Sequence, residues 1–543
     1  MNLSDKALEE LKNTLTVEEP LGPSNAEGLI ERPNAAASLF QTQNAIYQDL
    51  MKKSGILVGR RGSGKTAFLN QLRTSGKYRV IIFMNAPDVI PEVFGSLKHI
   101  FESDDPPAEL VAKLWDILIW TCVFWELAAR HSGSDARLQA IQDFLDQLGV
   151  SPEDKAEMIV QRTLDTLRNL VADRHREIRT PLALTNLLKF KGISFSNCLE
   201  IVRHILLGWK EDSKSPVLVL MDTLEEYQID REESKSGVRG LLRYLGLQSI
   251  SQDTIDIRFC LPAELYYEFR QLSSNVEKDF YTQTFLHWPS HDLLRIVTQR
   301  ILLYAQVHDP SLLRRVSSAG MGERSNPYEF FKGLFPDHVL EESGFPESPI
   351  IYILRHTQLL PRQTIQIFNK IISAAIDGRS MQVGRITPGM VTRSVRECQT
   401  LICVGVSQAY KHRYPVLEWI CREAIPELDL RFMDGDLQKV FNRRVKGAIK
   451  RAKSDGMDID IDYHQFKRML IEVGAIGREV ETTEVFHEAE FEYAIRGRIT
   501  EALTDGLCLH PLFSGTYPKR SNGTKKKRVY PTGCVSIFRE IDS

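Results

Sequence analysis

Residues 56–69 read Ile56-Leu57-Val58-Gly59-Arg60-Arg61-Gly62-Ser63-Gly64-Lys65-Thr66-Ala67-Phe68-Leu69. Three aliphatic residues closed by glycine have the length and composition of a buried parallel strand. Ala67, Phe68, Leu69 and Leu72 supply the apolar face of a helix after it. Between strand and helix, Gly59 to Thr66 satisfies G-x-x-x-x-G-K-[ST] at every fixed position. Gly59, Gly62 and Gly64 let the backbone curl tightly, so the N–H groups around Arg60 and Ser63 converge on an anion. The helix starting at about Gly64 adds its positive end. Lys65 is expected to span the β- and γ-phosphates of a nucleotide, and the Thr66 hydroxyl to ligate Mg2+.

A phosphate loop of this kind needs an acid for its metal at the end of a neighbouring strand. Val217-Leu218-Val219-Leu220-Met221-Asp222 is an apolar run that ends in a carboxylate. Asp222 is therefore the expected Mg2+ residue, acting through a water, with Glu225 or Glu226 orienting the attacking water.

The stretch Asp222-Thr223-Leu224-Glu225-Glu226 resembles the extended acidic motif D-G-L-D-E of signal-transduction P-loop ATPases. These form the STAND/NACHT class, relatives of AAA+ proteins of the replication-initiator type. Thr223 and Glu225 stand where that motif has a smaller residue and Asp. The resemblance implies an α/β P-loop NTPase sheet of strand order 5-1-4-3-2, with a helical insertion and a helical lid. It implies ATP as nucleotide, slow hydrolysis, and Glu226 ahead of Glu225 as catalytic base. A Pro-Arg motif in such a lid presents a sensor to the γ-phosphate, and Pro361-Arg362 makes Arg362 the matching residue. The chain is also similar to ATPases of bacterial antiphage defence systems, which implies a homo-oligomer working with a separate effector protein.

Five apolar runs fit buried strands: 56–58, 80–84, 217–221, 255–261 and 284–288. A long helical stretch separates the second from the third. The fourth run carries Arg258 at an alternating position, which reads as structural, and it ends without a sensor arginine. Arg295 and Arg300, on the helix after the fifth run, read as solvated. Residues 1–34, rich in Pro, Gly and acid, read as a tail or strap; 35–290 as the NTPase core; 291–430 as lid and linker. In 431–543, two helices near 437–453 and 462–473 precede the alternating run 485–493, the order of a winged-helix domain.

With 69 Lys+Arg against 71 Asp+Glu, the net charge is −2, which argues against a protein built chiefly to coat a polyanion. Hydrophobic residues at 43% and charged residues at 26% are those of a globular chain. The eight cysteines form no C-x-x-C pair, so neither a disulfide scaffold nor a zinc cluster is expected. In the most apolar stretch, Asp116 and Glu126 bracket only nine uncharged residues, too few for a membrane span. Residues 1–12 mix apolar and charged residues, unlike a signal peptide, so the expected location is the cytoplasm.

Two basic segments are candidates for nucleic acid. One is the helix with Lys439, Arg443, Arg444, Lys446, Lys450, Arg451 and Lys453; the other is the run holding Lys519, Arg520, Lys525, Lys526, Lys527 and Arg528. The leading expectation is an ATP- and Mg2+-dependent switch or assembly ATPase of an antiviral system. The alternatives are a DNA-dependent AAA+-like loader or initiator, and a nucleotide-binding scaffold with little hydrolysis.

Overall fold

The computed structural model describes every residue except 1–2, 30, 41–46, 48–54, 131–135, 152, 175–177, 191–192, 211–214, 223–231, 252–254, 274, 280–282, 317–326, 341–345, 455–459, 495–505, 520–526 and 535–543. Most of the basic run 519–528 thus lies outside the described residues. The chain packs as two units, one made of Gln43–Arg60 and Lys65–Leu286, the other of Met1–Thr42, Arg61–Gly64 and His287–Ser543.

The first unit is built on five strands: β1 (Gly55–Gly59), β2 (Tyr78–Met84), β3 (Ser215–Met221), β4 (Ile255–Pro262) and β5 (Gln283–Phe285). They lie in the order β2-β3-β4-β1-β5, and every neighbouring pair is parallel. Parallel strands buried on both faces must be apolar throughout, and Val217, Leu218, Val219, Leu220 and Met221 are each fully buried. Helix Lys65–Thr74 follows β1 and turns Phe68, Leu69 and Leu72 inward.

Among the described residues, six helices stand between β2 and β3. The longest, Ala108–Arg130, is apolar on nearly all sides and lies within the core. Helix Glu232–Ser251 approaches its neighbours through two glycines. A Cβ on Gly237 would sit 2.1 Å from the Phe94 ring, and one on Gly240 would sit 2.3 Å from Val111. Among the described residues, no helix is long and apolar enough to cross a membrane. Arg258 is 1% exposed in β4, and burial lowers its pKa; Tyr78 on β2 donates to Asp256 at 2.9 Å beside it.

In the second unit, much of residues 3–29 is packed. Ser4 caps helix Asp5–Thr14, and Leu11, Leu15 and Leu21 are fully buried. Glu10 accepts the N–H groups of Asn34 and Ala35 at 2.8 and 2.9 Å, capping helix Pro33–Leu39. Asn369 accepts from Leu21 N–H and donates to Gly22 O, while Arg300 donates to Leu21 O and Pro23 O. The reading of Arg300 as solvated is thereby corrected: burial brings its pKa down to about 10, and it spends its donors on backbone carbonyls.

Hydrogen bonds tie the segments on either side of residue 430 to each other. Tyr410 donates to Glu472 O at 2.8 Å, Tyr414 to Glu472 Oε2 at 2.5 Å, and Gln358 to Val473 O at 2.7 Å. These buried polar ties join residues 358 and 410–414 to 472–473 in one body. Helix Asp434–Val440 passes through a π turn, Phe441–Val445, into Lys446–Ser454; Tyr463–Glu472 follows, capped by Asp462 and Gln465. Five strands then form a second sheet: β6 (Arg431–Phe432), β7 (Ile476–Thr482), β8 (Phe486–Glu490), β9 (Leu507–Leu509) and β10 (Arg528–Pro531). Its order is β6-β9-β7-β8-β10. The two-helix-then-hairpin order is present, yet β7 and β8 are paired on their outer edges by β9 and β10. The hairpin is an interior part of a sheet and not a free wing.

His356 gives this unit a pH dependence. Burial, then the nearby Arg355 and His510 charges, hold its imidazole well below its ordinary pKa, against the acceptor Tyr352 O at 2.6 Å from Nδ1. The folded state therefore keeps His356 neutral where the unfolded chain binds a proton. Stability should fall as pH drops below about 6.5, by up to about 1.4 kcal/mol per unit until the folded-state pKa is reached. Denaturant midpoints between pH 7.5 and 5 should flatten in His356→Gln relative to wild type.

Candidate functional site

β1 delivers the loop from a strand buried from Ile56 to Gly59, and Gly59 lies in register with Pro262 of β4. Gly62 has φ +85° and Gly64 φ +94°, conformations that side-chain-bearing residues rarely adopt. Lys65 is 4% exposed and points back along the loop, with Nζ donating to Gly59 O at 2.9 Å and Arg60 O at 3.2 Å.

Asp222 lies one residue past β3, and its N–H donates at 3.3 Å to Met84 O at the end of β2. That anchorage brings its carboxylate to the start of helix Lys65–Thr74, where Thr66 Oγ1 donates to Asp222 Oδ1 at 3.4 Å. A hydroxyl and a carboxylate side by side fit the hard oxygen set Mg2+ takes when nucleotide phosphates and water complete it. Two protein oxygens are too few for Mg2+ alone, so phosphate and water would complete the set. Glu225 and Glu226 lie outside the described residues.

Two residues near the loop were not singled out from sequence. Glu264, just past β4, is 8% exposed with Oε1 4.0 Å from Arg60 Nε, so Arg60 is engaged by a carboxylate. Trp288, three residues past β5, donates from Nε1 to Ser63 O at 2.8 Å. Neither position carries a local signal, since each is defined by a loop distant in sequence. Ser63 itself is fully buried. Arg362, at the start of helix Pro361–Ala375, donates its main-chain N–H to Gly62 O at 3.3 Å. A Cβ on Gly62 would meet Arg362 Cβ at 3.0 Å.

The basic segments differ in what they expose. Lys439, Arg443, Arg444, Lys446, Lys450, Arg451 and Lys453 are all exposed, while Leu437, Val440, Phe441, Val445, Ala448 and Ile449 are buried. Lys439, Arg444 and Lys453 pair with Asp436, Glu427 and Asp460. On the following helix, Lys467 is 3% exposed and bonded to Asp434 at 2.6 Å, so it is spent internally. In the second segment, Lys519 pairs with Asp429, and Arg528 is 4% exposed beside Glu347. Arg528 opens β10 and is buried with a carboxylate, so it is not presented to solvent as a nucleic-acid contact.

No family model matches the chain, and no curated protein is found similar to it. A solved structure of the Aeropyrum pernix ORC2 protein (ADPNP-ADP complexes) is similar over 82% of this chain and 86% of that one, at 14% identity and a TM-score of 0.25. That score is too low for the likeness to bear on function.

Proposed function

We propose that the chain is an ATP- and Mg2+-dependent P-loop ATPase acting as a molecular switch. The observation that carries this is the Thr66–Asp222 contact, taken together with two positive-φ glycines and a buried lysine. In this reading the loop's N–H groups and Lys65 hold the β- and γ-phosphates, and Thr66 and Asp222 hold the metal. Mg2+, when bound, neutralises phosphate charge. Glu226, or Glu225, takes the proton of the attacking water, and Arg362 senses the γ-phosphate from the helix that touches Gly62. A homo-oligomer, a separate effector and an antiviral role rest on the resemblance of residues 222–226 alone.

A second reading, a DNA-dependent loader, is favoured by one observation: the exposed cationic face from Lys439 to Lys453. Among the described residues, Arg443, Lys446 and Arg451 on that face form no ion pair. Phosphate release and oligomer mass, measured with ATP or GTP, with and without Mg2+ and duplex DNA, test both readings. Mg2+-independent or undetectable release with no nucleotide binding would sink the first. If the second holds, the triple variant Arg443→Glu, Lys446→Glu, Arg451→Glu should abolish DNA stimulation. It should also cut the slope of log affinity against log salt by about 0.9 for each phosphate left without its cation. An unchanged slope would remove this face from DNA binding.

A further inference from the structure

The geometry points to Trp288 as a positioning residue for the phosphate loop, acting with the main-chain N–H of Arg362 to set the direction of the loop's own donors. The inference rests on the nucleotide reading above. Within a trans peptide plane the C=O and the following N–H point in opposite directions. The Gly62 carbonyl is engaged by Arg362 N–H, so the N–H of Ser63 faces the other way. The Ser63 carbonyl is engaged by Trp288 Nε1 at 2.8 Å, so the N–H of Gly64 is likewise turned away from Trp288. Two successive peptides of the nest are therefore oriented by bonds to their carbonyls, on the side opposite the one that would meet a phosphate.

The supports of these two donors are themselves fixed. Trp288 is 5% exposed, and its ring lies 4.0 Å from where a Cβ on Gly64 would stand. Arg362 follows a turn in which Leu359 takes φ +51°, an uncommon conformation for a leucine, while 5% exposed. That turn is held by Leu359 N–H on Thr357 Oγ1 at 3.1 Å and Gln358 N–H on Gln363 Oε1 at 2.7 Å. Strain of this kind persists only where surrounding bonds over-determine the backbone, and here it aims the first turn of the Arg362 helix at the loop.

Trp288→Phe keeps an aromatic ring and removes the donor. Binding of the non-hydrolysable ATP analogue with Mg2+ should weaken roughly tenfold. The melting temperature without nucleotide should change little, while the rise in melting temperature on adding nucleotide shrinks. A purely structural role would lower the nucleotide-free melting temperature and leave the affinity of the folded fraction intact, which would overturn the inference. Site-specific 3-benzothienylalanine at 288 keeps the bicyclic shape and removes only the N–H, and should give the same loss even if the phenylalanine variant folds poorly. Wild-type affinity in that protein would also overturn it. Wild type with no triphosphate binding, indistinguishable from Lys65→Ala, would instead bring down the nucleotide reading and the inference with it.

Discussion

Lys65→Ala is expected to lower ATP turnover by at least about a hundredfold, the scale seen when one preorganised donor to developing charge is removed. The side chain is held along the loop by Gly59 O and Arg60 O, and in the proposed nucleotide reading its ammonium is preorganised for phosphate oxygens. Truncation also strips two carbonyls of a donor, for a stability cost of about 1–3 kcal/mol, which leaves a protein folded enough to assay. Lys65→Arg should fail nearly as badly, because a planar fork cannot replace a compact ammonium in a loop this tight. Glu226→Gln should behave differently: hydrolysis falls while triphosphate affinity is kept, since the carboxylate acts on water and not on phosphate. Steady-state phosphate release and equilibrium binding separate the two. Turnover surviving Lys65→Ala would overturn the active-site assignment. Loss in Glu225→Gln with Glu226→Gln intact would reverse the order of the two acids.

The parts of this arrangement that were legible in the sequence are those written in contiguous residues. β1, the loop and its helix are one unbroken stretch whose glycines and lysine have single physical roles. The position of Asp222 was legible because a fully buried strand must be apolar throughout, so the first carboxylate marks where that strand ends. Trp288 and Glu264 were not legible, since their roles come from carbonyls and charges more than two hundred residues away in sequence.

Helix periodicity placed Arg300 on an outer face, but it cannot know that the carbonyls of Leu21 and Pro23 lie over that face. The C-terminal sheet was hidden for a different reason. β9 has three residues and β10 four, too short for any alternation to register, yet they decide that the hairpin is interior and not a wing.

Glu347→Ala should be the most destabilising single change in the second unit outside its apolar core, at about 3–5 kcal/mol. Glu347 accepts from Arg355 twice, Nε to Oε1 at 2.9 Å and Nη2 to Oε2 at 3.2 Å, and Arg528 Nε lies 3.6 Å from Oε2. The side chains of Glu347, Arg355 and Arg528 are 1%, 5% and 4% exposed, so water cannot replace a missing partner. Alanine would leave two guanidinium groups buried with their shared countercharge gone, and burying an unpaired charge costs far more than the pair contributes. Glu347→Gln keeps an acceptor and should cost less. Pairing Glu347→Leu with Arg355→Met removes charge from both sides and should recover part of the loss, with Arg528 still donating to Pro346 O. The same carboxylate joins the segment before helix Pro349–Arg355 to β10, so its loss should also loosen the C-terminal strand, seen as faster amide exchange over Arg528–Pro531. Denaturant midpoints for the three variants, compared at constant m, read the energies directly. A Glu347→Ala protein as stable as wild type would mean the two arginines find other acceptors, and that this cluster does not hold the end of the chain to the helices.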